Sequence, residues 1–192
     1  MAGNAGGEAT VGRVVGLWRY PVKSMGPEPL EAIDVSWHGV VGDRRWAFVR
    51  EGLEQSGFPW LTLRQNADLS RYRPFIVEPE SPDTSPTLVE TPSGSRLDVT
   101  DPALARELWP AGARVIRQNR GVFDTFPLSL ITTQSVAQLG RRVNVPLQVQ
   151  RFRPNLLVEA GDMPFPEDDW VGKVIRVGSL RMRVDKRDGR CV

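Results

Sequence analysis

The sequence has little of what most catalytic sites are built from. It holds one cysteine, Cys191, and one histidine, His38, in 192 residues. A single cysteine excludes an internal disulfide, which fits a reducing compartment. One thiol and one imidazole cannot complete a tetrahedral zinc set without carboxylates. There is no G-x-G-x-x-G, no P-loop and no serine in a nucleophile elbow, so none of the common nucleotide or hydrolase motifs is present. The longest apolar runs, such as 128–131 and 156–158, are far too short to cross a bilayer. Residues 1–8 combine neither a basic nor an apolar segment, so a signal peptide is not expected. Residues 1–10 read as a flexible leader, and the whole as a soluble cytoplasmic protein with no membrane partner.

What is present is enough apolar residue, 40%, for an ordinary core, and a net charge of only +2 that is unevenly placed. Residues 171–190 carry seven basic side chains (Lys173, Arg176, Arg181, Arg183, Lys186, Arg187, Arg190) against Asp185 and Asp188. The arginines alternate with apolar residues, which is the period of a strand. Three readings stay open: a solvated strand face, the wall of an anion site, or a nucleic-acid strip. Without interleaved exposed aromatics, nucleic acid is not the expected partner.

The chain alternates β-branched runs with Gly and Pro punctuation. Strands are expected at 11–20, 33–37, 46–50, 60–63, 73–78, 87–91, 96–99, 115–118, 147–150, 155–158, 174–177 and 180–184. Asp101-Pro102 is an N-cap followed by proline at the first helical position, so 102–109 is a short helix. Thr132 or Thr133 caps a second one through about Arg142, ended before Pro146. Many short strands and two brief helices make a mainly β (α+β), barrel-like architecture. A soft boundary falls near Val122, separating 11–122 from 123–192. The last strand is expected to run directly into Arg190-Cys191, leaving an unpaired edge, as if the second barrel lacked its C-terminal part.

Four clusters carry the chemistry. Tyr20-Pro21-Val22-Lys23-Ser24 offers an ammonium and a hydroxyl beside a turn, a phosphate contact or an ordinary surface pair. In Gly42-Asp43-Arg44-Arg45-Trp46, Gly42 permits close backbone approach, and Arg44 serves either an anion or a neighbouring acid. Arg153-Pro154-Asn155 reads as extended, with guanidinium and carboxamide on one face. Asp188-Gly189-Arg190-Cys191 places the thiol among Arg190, Arg187 and Lys186, which favour thiolate, the form that ligates soft metals. The alternative for Cys191 is a small buried hydrophobe. Glu167-Asp168-Asp169 reads as solvated acids rather than a hard-cation site, and His38 as structural or exposed.

These clusters, with Leu63-Arg64-Gln65, Arg153-Pro154-Asn155-Leu156, Glu167-Asp168-Asp169-Trp170 and Gly189-Arg190-Cys191 in that order, resemble the MOSC (molybdenum cofactor sulfurase C-terminal) domain family with its N-terminal β-barrel region. The resemblance runs from about Val11 to Val192. The chain is similar in this to the mitochondrial amidoxime-reducing component and to bacterial reductases of N-hydroxylated compounds. The resemblance implies an N-terminal barrel-like region packed on a MOSC barrel and a pyranopterin molybdenum cofactor (Mo-molybdopterin) bound between them. It implies Cys191 as the catalytic thiolate and molybdenum ligand. Lys23, Ser24 and Arg44 would hold the phosphate and pterin end, Arg153 and Asn155 the pterin, and Thr125 would add a polar contact in Asp124-Thr125-Phe126-Pro127. The implied activity is reduction of a small N-hydroxylated substrate. Its electrons would come from a separate donor protein, whether a ferredoxin, a cytochrome b5-like protein or a flavoprotein reductase. The alternative is a cofactor carrier or sulfur-transfer module with a persulfide on Cys191. Pyridoxal phosphate is not expected.

Overall fold

The computed structural model describes residues 9–120 and 122–189. The strands, in chain order, begin with β1 (Arg13–Arg19), β2 (Glu28–Pro29), β3 (Val35–Ser36), β4 (Gly39–Val40) and β5 (Trp46–Arg50). They continue as β6 (Arg73–Ile76), β7 (Thr87–Glu90), β8 (Arg96–Asp98) and β9 (Ala113–Arg117). The series ends with β10 (Leu130–Thr132), β11 (Leu156–Glu159), β12 (Val174–Val177) and β13 (Leu180–Arg183). Two α-helices, α1 (Pro102–Leu108) and α2 (Thr133–Val143), interrupt them. The described residues are therefore mainly β with two short α-helices, as the alternating pattern requires. No described helix is long and apolar enough to cross a membrane.

The caps lie where their residue types put them. Asp101 accepts from the Ala103 amide at 2.7 Å, with Pro102 opening α1. Thr132 accepts from the Ser135 amide at 3.1 Å and so starts α2. The Thr132 hydroxyl also donates to Glu167 Oε2 at 2.7 Å, and its amide to Glu167 Oε1 at 3.2 Å. Glu167 is thus a brace for the α2 start rather than the solvated acid expected.

The apolar core gathers around β5 and β7 and buries Val22, Met25, Phe48, Leu61, Leu69, Val89, Val99, Leu104 and Leu108. Each such side chain contributes about 1.5–3 kcal/mol by leaving water. Pro74 sits in β6, which is an edge of the β6-β7-β8 sheet, so its missing N–H leaves no ladder bond broken. A four-stranded sheet runs β10-β11-β1-β2. Within it β10 and β11 are parallel, and α2 makes the crossover that parallel strands need. β1 lies antiparallel to β11, from Arg13 opposite Glu159 to Leu17 opposite Leu156. The first strand of the chain is therefore a member of the sheet formed by its last third.

Three expected strands differ. Residues 147–150 do not form one: Val149–Phe152 is a 3-10 turn, because the alternation there has no neighbouring strand to pair with. Of 60–63, only Trp60 forms a bridge, to Val49. The final strand does not reach Arg190. β13 ends at Arg183 and residues 184–189 carry no regular structure, since Asp185-Lys186-Arg187-Asp188-Gly189 offers no apolar face to bury.

Candidate functional site

The 20–24 segment leaves the end of β1 and is laced to the 44–46 segment by backbone bonds. Arg44 N donates to Tyr20 O at 2.7 Å, Trp46 N to Pro21 O at 3.1 Å, and Lys23 N to Trp46 O at 2.8 Å. Asn155 is seated between the two ends of the same sheet. Its amide donates to Ser129 O at 2.8 Å, and its carbonyl accepts from Trp18 N at 3.0 Å. Three cationic segments distant in sequence are thereby brought to one place.

The side chains meet on the ring of Tyr20. The Arg153 guanidinium lies 4.3 Å from the ring centroid and that of Arg44 5.1 Å. Tyr20 is wholly buried, and its amide donates to Asp43 Oδ1 at 2.7 Å. Arg44 has two carboxylate partners: it bonds Asp43 Oδ2 and ion-pairs through Nε with Asp124 at 3.1 Å without making a hydrogen bond there, while Nη2 donates to the Arg153 carbonyl at 3.0 Å. Burial works against its charge, but Asp43 and Asp124 outweigh that and its pKa lies above the ordinary value.

Arg153 is in the opposite situation. It donates through Nη1 to the Met25 carbonyl, yet Nη2 is buried with no hydrogen-bond partner. No described carboxylate stands within ion-pair distance of it. Burial, and then the Arg44 charge, lower its pKa to about 10. It remains a cation at neutral pH, held at a cost. The Tyr20 hydroxyl is also buried without a partner, and burial raises its pKa to about 12 despite the two guanidinium groups. Orphaned polar atoms of this kind are rare in folded proteins and call for an explanation.

The backbone carries the same signature. Five described non-glycine residues have positive φ, and three are Ser24 (68°), Arg44 (45°) and Arg153 (54°). Left-handed backbone at non-glycine residues costs of order 1–3 kcal/mol each and collects at functional sites. The φ of Arg153 also shows that 153–155 is not the extended segment its sequence suggested. Asn155 is fully buried, donating to Trp18 O at 3.2 Å and accepting from Ser129 N at 3.1 Å.

The match with protein families covers both parts of this arrangement. The profile of the MOSC N-terminal beta barrel domain matches residues 11–109, and that of the MOSC domain residues 117–192. The chain belongs to the MOSC family. Mitochondrial amidoxime-reducing component 1 of Xenopus laevis is 35% identical over 69 residues, which is 36% of this chain and 19% of that protein. The matched stretch thus spans about a fifth of that relative's length.

Within the MOSC frame, the cluster is shared between the two matched parts. Tyr20, Lys23, Ser24 and Arg44 come from the N-terminal one, and Asp124, Arg153 and Asn155 from the MOSC domain. Lys23 reaches across the divide, donating from Nζ to the Phe123 carbonyl at 2.7 Å. Ser24 is buried beside it. Thr125 is exposed, and its amide bonds Asp124 Oδ1 at 2.8 Å. Cys191 and Arg190 lie outside the described residues. His38 is exposed. A groove of about 720 Å³ between α2 and the stretch 144–149 shares no residue with this cluster.

Sequence reasoning passed over Asp124 and Tyr20 as members of the site. Asp124 adjoins Thr125, and an acid there was available as the counter-charge to Arg44. Among the described residues no group of three His, Cys, Asp or Glu is placed to hold a metal ion. The donors present are guanidinium, ammonium and hydroxyl groups, which suit a phosphate. A phosphate-bearing cofactor that brings most of its own metal ligands fits this set.

Proposed function

We propose that this chain binds the molybdenum cofactor by its phosphate end at the Tyr20–Arg153 cluster and serves as a molybdenum-dependent oxidoreductase for N-hydroxylated substrates. One observation carries the reading: Arg153 is a buried cation with an orphaned Nη2 and no carboxylate partner, beside an arginine that has two. An anion at Arg153 satisfies both the charge and the donor. The MOSC profile match supports the choice of anion, and the amidoxime-reducing relative supports the reaction class.

In this reading Arg153, Lys23 and Ser24 face the phosphate. Arg44 and Asn155 stand behind them as positioning residues. Arg44 ties Asp43, Asp124 and the Arg153 carbonyl into one unit, and Asn155 holds β1 against residue 129. The left-handed backbone of Ser24, Arg44 and Arg153 sets the direction of each side chain before the ligand arrives, so little reorganisation is left for binding. Cys191, which lies outside the described residues, is assigned as the thiolate ligand on the family resemblance. The cofactor, when bound, supplies two-electron chemistry at molybdenum, and the protein supplies binding, orientation and electrostatics. Electrons come from a separate donor protein.

The test is molybdenum per protein by plasma mass spectrometry, on protein from a cofactor-competent host. Wild type should carry near-stoichiometric metal. Arg153→Ala should retain at least tenfold less, since hydrogen bonds to a charged group are worth about 1.5–3 kcal/mol each. Cys191→Ala should lose turnover of benzamidoxime. Metal-free wild type bearing cyanolysable sulfur on Cys191 would replace this reading with a sulfur-transfer one.

A further inference from the structure

Tyr20 is the residue in the cluster whose chemical identity the fold leaves unexplained. Its ring fills a wholly buried position and carries two guanidinium groups within about 5 Å of its centroid. Phenylalanine would fill the same volume and offer the same face to both cations. The hydroxyl is what distinguishes tyrosine, and in the protein alone it has no hydrogen-bond partner. A buried hydroxyl left unpaired is unfavourable. Its neighbour on the same ring, Arg153, has an orphaned Nη2 as well. Two donors without acceptors, one on each member of a stacked pair, fit a single acceptor-rich group that neither the fold nor the sheet provides.

We propose that Tyr20 is itself part of the phosphate site: its ring orients Arg153, and its hydroxyl is a second, uncharged donor to the bound phosphate group. The proposal rests on the anion-site reading above and adds to it a residue outside the lysine, serine and arginine set. The Tyr20 backbone is fixed on both sides, by its amide on Asp43 and its carbonyl on the Arg44 amide. The backbone that carries the ring is therefore held, and the ring, wholly buried, is the surface on which the guanidinium of Arg153 rests. Tyr20 thus keeps its hydroxyl for binding at the expense of the empty protein's stability.

The experiment uses the full-length protein produced without molybdenum cofactor, with inorganic phosphate as probe. Thermal unfolding is followed against phosphate concentration at constant ionic strength for wild type, Arg153→Ala, Tyr20→Phe and Tyr20→Leu. Wild type should be stabilised by phosphate and Arg153→Ala should not. Tyr20→Phe should melt higher than wild type without phosphate, yet need at least about tenfold more phosphate for half-maximal stabilisation. A tyrosine that only packs would not move those two readouts in opposite directions. Tyr20→Leu, which also removes the stacking face, should weaken phosphate binding by a further factor of about three or more. A Tyr20→Phe midpoint within twofold of wild type, with Arg153→Ala unresponsive, overturns the hydroxyl assignment and leaves the anion site standing. Equal midpoints for Tyr20→Leu and Tyr20→Phe overturn the orienting role of the ring. Wild type without any phosphate effect overturns the anion site and Tyr20's part in it together.

Discussion

Neutralising Asp43 measures how strongly the cluster depends on its internal counter-charge. The Asp43 side chain is fully buried and that of Arg44 is 5% exposed. Asp43 Oδ1 accepts from the Tyr20 amide at 2.7 Å, and Oδ2 from Arg44 Nη1. In Asp43→Asn the carbonyl oxygen keeps the first bond. The amide then points a donor at a donor, and of its two counter-charges Arg44 retains Asp124, which is 45% exposed and so screened by water. Removing one partner of a buried ion pair costs about 3–5 kcal/mol, and the remaining Asp124 places this case near the lower figure. A loss of about 3 kcal/mol in a chain of this size lowers Tm by about 6–12 °C. The same change removes a negative charge from beside Arg153, so inorganic phosphate should bind more tightly and recover part of the loss. Glu159→Gln is the contrasting control. Its pair with Arg13 is 77% and 53% exposed, and such pairs contribute about 0–1 kcal/mol. Differential scanning calorimetry of the two variants, with and without phosphate, decides the matter. An Asp43→Asn variant within 1 kcal/mol of wild type refutes the claim that Arg44 is held by a buried counter-charge.

Phosphate-dependent stabilisation should rise through the neutral range as inorganic phosphate gains its second charge and then stay level. It should fall as pH approaches about 10, where Arg153 begins to lose its proton in the folded protein; melting curves at fixed ionic strength read this out. For the folded state alone the sign is opposite. The Arg153 pKa is depressed below the ordinary arginine value, so its burden on stability is present below about pH 10 and is relieved as pH rises above that, while Tyr20, raised to about 12, works against it over the same range. Gly39→Ala, in the buried strand β4, should be among the most damaging glycine changes. A Cβ there would stand 2.1 Å from the Pro127 carbonyl oxygen at φ +103°, and a loss of at least about 2 kcal/mol is expected in urea unfolding. Glu167→Ala should cost about 1–2 kcal/mol, because it removes both bonds that hold the Thr132 cap.

The strands and caps were legible because they depend on local rules. β12 and β13 follow strict alternation, and Asp101-Pro102 and Thr132 cap helices through oxygens that reach the next amides. The 3-10 turn at Val149–Phe152 was not legible, because Leu147-Gln148-Val149-Gln150 alternates like a strand and only the missing neighbour decides against it. Nor was the partner of β1, which is chosen by burial of Leu156 and Val158 some 140 positions away. At the site, Lys23, Ser24, Arg44, Arg153 and Asn155 were visible as residue types, and the structure gathers them. Their division of labour was hidden. Left-handed φ is announced in sequence by glycine or asparagine, and here it falls on serine and arginine. Which arginine has carboxylate partners depends on Asp124, a residue that reads alone as a loop acid.

The pairing of β1 with β11 has a consequence for biosynthesis. Arg13 and Glu159 are 146 positions apart, and contacts so distant form late, after the loop between them has been closed. A chain emerging from the ribosome presents Tyr20, Lys23 and Arg44 long before Arg153 and Asn155 exist. Through that interval the edge of β1 that faces β11 stays open, the kind of surface on which nascent chains mispair. The binding cluster therefore comes into being in one step, when β11 docks and carries Arg153 onto the Tyr20 ring. A ligand that recognised only the docked form would pull that step forward by mass action, so on the reading proposed above its supply would raise the share of newly made chain that reaches the folded state.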